Sequence, residues 1–150
     1  MHMKNIIILS IIALLFASSC TEQSQTETDE DLITQYIADN DIDATKTESG
    51  LYYQILTQGE GPSPDITDIV NVHYVGELLD GTVFDETTGT AATFNVSGVI
   101  LGWQEGLQLM NAGSEAIFII PSRLGYGSYP PSGIPANSVL VFTVTLQSIR

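Results

Sequence analysis

The sequence predicts an α+β fold: an antiparallel β-sheet of about five strands wrapped around one short α-helix. Three observations predict it. Residues 69–79, IVNVHYVGELL, and 139–149, VLVFTVTLQSI, alternate apolar and other side chains, as strands with one buried face do. Residues 99–110, VILGWQEGLQLM, instead set Ile100, Trp103, Leu107 and Met110 at helical spacing. Every other apolar stretch after residue 50 is short, rich in β-branched or aromatic residues and bounded by turn residues, so it reads as a strand. Helix face and sheet face then share one core.

Taken in order, residues 1–19 carry a cation at Lys4, an apolar run at 6–16 and then small residues. That run is short for a bilayer span and has the proportions of a secretory signal. Cys20 follows Ala17, Ser18 and Ser19, a run that resembles the lipobox of bacterial lipoproteins, although a larger aliphatic residue is commoner where Ala17 stands. The resemblance implies that Cys20 becomes the acylated N-terminus of the mature chain. It also accounts for an unpaired cysteine in an exported protein, and with no other cysteine the domain relies on no internal disulfide.

The 150-residue chain has 18 acidic and 4 basic residues, a formal charge of -14. Such a surface repels phosphate backbones, so no nucleic-acid partner is expected. Half of the acids fall between Glu22 and Glu48. Residues 21–31, TETDED at their end, read as a solvated acidic tether. Leu32, Ile33, Tyr36 and Ile37 then mark a small helix packing on the domain, with Asp29 to Asp31 at its N-terminus, where anions are favoured. The segment 20–47 is thus lipidated N-terminus, tether and short helix, and 48–150 is the folded domain.

Within the domain, residues 51–57 read as a strand, and Gly59, Gly61, Pro62 and Pro64 as a loop. On the strand at 69–79, Val70, Val72, Tyr74, Gly76 and Leu78 share one face and Asn71, His73, Val75 and Glu77 the other. His73 has no companions that would make a metal or catalytic site and is read as structural. No cluster of His, Cys and carboxylates has ligand spacing, so neither a metal nor a cofactor is expected. Asp80-Gly81 turns the chain into a short strand ending at Phe84-Asp85. Asp85 is either a solvated turn residue or an acid beside an apolar pocket. Phe94 belongs to a further strand at 93–96, Gly113 caps the helix in left-handed geometry, and residues 115–120, EAIFII, are a buried strand ended by Pro121. The segment 122–138 holds three prolines, Tyr126 and Tyr129, and so long a loop in a small domain points to function. Trp103 on its own reads as core.

Five blocks alter that last reading: VHYVG at 72–76, DGTVFD at 80–85, VILGWQEGL at 99–107, LGYG at 124–127 and IPANSVLVF at 134–142. Their order and spacing resemble the FKBP-type peptidyl-prolyl cis-trans isomerases, over residues 48–150. The resemblance implies an FKBP-like fold and a pocket for a proline ring. In it Trp103 is the floor, Tyr74, Phe84, Phe94 and Phe142 are the walls, and Val99 with Ile100 supplies a backbone amide. Tyr126 is a hydroxyl donor, Ile134 a flap contact and Asp85 the acid at the edge. Where many members carry an arginine after the aspartate, residues 86–92 contain none and Thr90 falls at that place. The implied enzyme is a monomer in the cell envelope, on its periplasmic side, held to a membrane by its lipid. Its substrates are proline-containing unfolded or partly folded polypeptides, and it needs no cofactor. The competing class is a noncatalytic module that captures a proline segment of one partner, or an accessory subunit of an envelope complex.

Overall fold

The computed structural model describes residues 17–150, with side chains from Gln25 onward. The expected signal segment lies outside the described residues up to position 16, and so does the side chain of Cys20. Helix α1 (Ala17–Asp39) leads into strands β1 (Thr45–Lys46), β2 (Tyr52–Thr57), β3 (Ile69–Leu78), β4 (Val83–Glu86) and β5 (Ala92–Asn95). Helix α2 (Leu101–Gln108) follows, then β6 (Glu115–Ile120) and β7 (Leu140–Ile149). The strands form one seven-stranded sheet in the order β1-β2-β6-β7-β3-β4, with β5 also paired to β3 and every pairing antiparallel. The count exceeds the expected five because of short pieces. Strand β1 has two residues, and β4 and β5 divide one edge of β3, β5 taking Ile69 to Val72 and β4 Val75 to Glu77.

The alternation in β3 and β7 reflects their pairing, which sets Val72 opposite Leu146, Tyr74 opposite Val144 and Gly76 opposite Phe142. On this face Val70, Val72, Val144 and Leu146 are fully buried and meet α2. The helix approaches through glycine. A Cβ at Gly102 would lie 2.6 Å from the Ile120 side chain, and one at Gly106 2.7 Å from the Phe118 ring. Two glycines four residues apart clear one helix face, so β6 comes close enough for Trp103 and Leu107 to be buried. Gly113 has φ +92, as expected of a helix terminator, and its N–H reaches the Leu146 carbonyl at 2.7 Å.

The opposite face of the sheet is covered as well. Ile33, Tyr36 and Ile37 of α1 pack on Ile119, Val139 and Val141, a second apolar cluster. Strand β6 is therefore apolar throughout because Phe118 and Ile120 face one cluster and Ile117 and Ile119 the other. Two expectations for the lead-in are corrected. Residues 21–31 are helical and continuous with the docking helix, which places Asp29 to Asp31 within it instead of at its start. Asp29 is 1% exposed, because α1 lies against the domain where Ser122 takes up its carboxylate. Leu32 points outward at 47% exposure, leaving Ile33, Tyr36 and Ile37 as the contact face, and Lys46 forms an ion pair with Glu30.

Candidate functional site

The inner face of β3 and β7 ends in aromatic side chains. Tyr74 extends from β3, Phe94 from β5 and Phe142 from β7, and the three converge on the ring of Trp103 in the first turns of α2. Tyr74 and Phe142 each lie 5.2 Å from Trp103 between ring centroids, at 90° and 85°, and Phe94 lies 5.8 Å away at 82°. These are edge-to-face contacts, in which the positive edge of one ring meets the negative face of another. Trp103 is 4% exposed, and among the described residues its Nε1 is the buried side-chain nitrogen or oxygen without a hydrogen-bond partner. Packing alone fixes this ring.

Above it opens a cleft of about 260 Å³, lined by Tyr74, Asp85, Phe94, Gly98, Val99, Ile100, Trp103, Tyr126 and Phe142. Eight of the ten residues that the family resemblance implied are thus brought together. The other two are placed elsewhere. Phe84 packs edge-on to Phe142 at 5.5 Å and 87°, on the same side of the sheet as Gly76, and backs the wall without lining the cleft. Ile134 is buried in the main core and does not line the cleft. Gly98 lines it and was not foreseen, since a residue without a side chain leaves no chemical mark in the sequence. Its only signal was its place before Val99.

The polar rim is held by short-range contacts. The Tyr74 hydroxyl donates to Asp85 Oδ2 at 2.7 Å, so Asp85 is held without a loop arginine. The Thr87 hydroxyl meets the Tyr74 N–H at 3.0 Å and lies 3.2 Å from His73 Nδ1, so His73 helps fasten the end of β4 to β3. Gly76 lets the rings close up, since a Cβ there would lie 2.7 Å from Phe142 and 2.8 Å from Phe84. Ile100 is the N-cap of α2, and its carbonyl accepts from Trp103 and Gln104 N–H. Its own N–H precedes the helical ladder. The Gln104 side chain donates to the Val99 carbonyl at 2.8 Å and steadies that corner. Burial, then the hydrogen bond and charge of Asp85, push the Tyr74 hydroxyl well above the usual tyrosine range. Burial and the Asp85 charge raise that of Tyr126. Both hydroxyls are therefore protonated donors at neutral pH.

A larger cleft of about 710 Å³ lies between α1 and the start of the long loop. Gln25, Glu27, Arg123 and Asn137 are among the residues that line it, and no aromatic residue does. Arg123, which matched no motif, donates to the Ser49 carbonyl and ties this loop to the turn before β2. Among the described residues no group of His, Cys and carboxylates could hold a metal ion.

A sheet wrapped around a short helix, with an apolar aromatic cleft at the helix N-terminus and hydroxyl donors on its rim, defines the FKBP-like class of fold. The same shape occurs in the crystal structure of a peptidyl-prolyl cis-trans isomerase from Pseudomonas syringae pv. tomato. It matches with a TM-score of 0.75 and 30% identity over 85% of this chain and 94% of that one. Residues 61–147 match the family of FKBP-type peptidyl-prolyl cis-trans isomerases, and the chain belongs to that family. It is 53% identical over 106 residues to the FKBP-type peptidyl-prolyl cis-trans isomerase FkpA of Aeromonas hydrophila, covering 69% of this chain and 40% of that protein. It is 48% identical over 105 residues to the outer membrane protein MIP of Legionella longbeachae, covering 68% of this chain and 45% of that protein. The chain spans less than half the length of these two curated relatives.

Proposed function

We propose that this protein is a peptidyl-prolyl cis-trans isomerase acting on proline-containing unfolded or partly folded polypeptides outside the cytoplasm. The observation that carries the reading is the cleft itself: an apolar floor and walls of four rings, a volume suited to one proline ring, and Tyr126, Asp85 and the Val99–Ile100 corner at its edge. Rotation about an X-Pro bond faces a barrier of about 18–20 kcal/mol, because resonance gives the C–N bond double-bond character. In the twisted transition state that resonance is lost and the carbonyl is less polar. A pocket that replaces water with aromatic rings therefore disfavours the planar amide more than the twisted one.

The rim fixes direction. The Tyr126 hydroxyl and the Ile100 N–H are placed to hold carbonyls flanking the proline, so that one part of the peptide turns while the other stays still. Asp85 orients Tyr74 and does not transfer a proton, because protonating an amide at neutral pH is too costly. Each 1.4 kcal/mol or so removed from the barrier gives about tenfold in rate. Slow X-Pro steps in the folding of exported chains are the reaction this activity suits.

Envelope location and a lipid at Cys20 belong to the same proposal. The apolar run at 6–16 ahead of Ala17-Ser18-Ser19-Cys20 supports them, as does the likeness to a protein named for the outer membrane. Among the described residues no helix is long and apolar enough to cross a membrane. The domain works as a monomer. Protease-coupled or NMR-exchange assays on X-Pro peptides test the activity, with acceleration at micromolar protein expected and its absence overturning the claim. Binding of a proline peptide without acceleration would instead favour the capture module. Mass measurement of the mature N-terminus tests the acylation.

A further inference from the structure

We propose that Asp29 of α1, which lies outside the segment matched to the family, is a positioning residue for Tyr126; the inference rests on the isomerase reading of the cleft. Asp29 is 1% exposed and Ser122 2%. Asp29 Oδ2 accepts both the Ser122 N–H at 2.8 Å and the Ser122 hydroxyl at 2.6 Å, while Oδ1 accepts from Gln25 Nε2 at 2.8 Å. The Ser122 carbonyl in turn accepts the N–H of Gly125 at 3.1 Å and of Gly127 at 2.9 Å, the two residues that flank Tyr126. The Gly127 carbonyl then accepts from Asn137 N–H at 2.8 Å. One buried residue thus connects α1 to the peptide groups on both sides of the rim tyrosine.

Docking of α1 does not explain this carboxylate. Ile33, Tyr36 and Ile37 already seat the helix on the sheet, and burying a charge is unfavourable unless its partners are worth the desolvation. Hydrogen bonds to an ionised acceptor are shorter and roughly twice as strong as neutral ones. Here two of the three go to a single serine, which makes the contact directional. The Tyr126 side chain is 38% exposed and lines the cleft, and no side-chain hydrogen bond is recorded for its hydroxyl among the described residues. Its orientation therefore depends on its own backbone, which the Ser122 carbonyl grips. A misplacement of about 1 Å in a positioning group can lower a rate on the order of a hundredfold, so a partial loosening matters.

The test compares four variants of the full chain by kcat/KM on an X-Pro peptide and by amide hydrogen exchange at Gly125 and Gly127. Asp29→Ala is expected to lower kcat/KM about five- to tenfold and to speed exchange at both glycines. Asp29→Asn is expected to restore both to within about twofold, since its Oδ1 can accept both Ser122 donors while the Gln25 amide turns over. Ile33→Ala loosens the apolar contact of α1 without touching the hydrogen bonds, and folded protein should keep kcat/KM within about twofold. If Asp29→Ala does not fold, Ser122→Ala carries the test, with a smaller fall of about two- to threefold and the same exchange signature. Equal losses in Asp29→Ala and Ile33→Ala, or unchanged exchange at Gly125 and Gly127, overturn the proposal. An inactive wild type whose exchange still responds to Asp29→Ala overturns the isomerase reading and leaves the link from Asp29 to Tyr126 standing.

Discussion

Replacing Trp103 by alanine separates the stability of the domain from the work of its cleft. The ring makes three edge contacts, with Tyr74, Phe94 and Phe142, and no hydrogen bond is recorded for its nitrogen, so the whole loss is packing. At about 0.5–1.5 kcal/mol per aromatic pair the contacts alone sum to roughly 1.5–4.5 kcal/mol. Buried Trp→Ala truncations as a class cost about 3–5 kcal/mol. The lower end is expected here, because the cleft is already open above the ring and water can fill the space. A domain stable by roughly 5–15 kcal/mol survives that loss at room temperature. Urea titration followed by far-UV circular dichroism measures it. On the folded variant kcat/KM for an X-Pro peptide should fall at least about tenfold, since that needs only about 1.4 kcal/mol of lost transition-state stabilisation. A folded Trp103→Ala protein retaining kcat/KM within a factor of two would refute the placement of the reaction in this cleft.

Gly106→Ala sets two effects against each other: alanine favours helix by about 1 kcal/mol, whereas overpacking costs about 1–3 kcal/mol. The new Cβ would face three atoms of the Phe118 ring at 2.7–2.9 Å, and that ring is fully buried, so net destabilisation is expected as a lower urea midpoint with an unchanged slope. At high pH the sign follows from the raised values of Tyr74, Tyr126 and Lys46. All three lose their proton more readily unfolded, so their stabilisation is complete below the ordinary tyrosine and lysine range and is lost as pH rises through the folded values. Alkaline unfolding should therefore set in above about pH 10. Tyr74→Phe should flatten that decline, and an unaltered alkaline limb would refute the assignment.

Patterns carried by adjacent residues were legible in the sequence, and partnerships between distant ones were not. The alternation of β3 and β7 and the spacing of Trp103 and Leu107 identified both central strands and α2, because each follows from burial on one face. Gly102 and Gly106 are another matter. Gly102 is the surface through which the helix meets Ile120, a partner that needs β6 in place to be seen. The acidic lead-in misled for the same reason. Nothing in residues 21–31 can build a core, but Asp29 finds its partner 93 positions away at Ser122. Family resemblance brought Phe84 and Ile134 to the cleft by position, whereas packing sets one against the outer side of Phe142 and the other in the core.

The order of strands in the sheet also governs when the molecule can close. Strand β7 lies between β6 and β3, yet it follows both of these neighbours in the chain. Until Leu140–Ile149 is available, β1, β2 and β6 form one ribbon and β3, β4 and β5 another, with a vacant lane between them. Joining the ribbons pairs β7 with β3 from Leu78–Leu140 to Val70–Ile149, contacts of long sequence separation that close large loops. Any cut that removes β7 leaves two ribbons with unsatisfied edges prone to pairing with other chains.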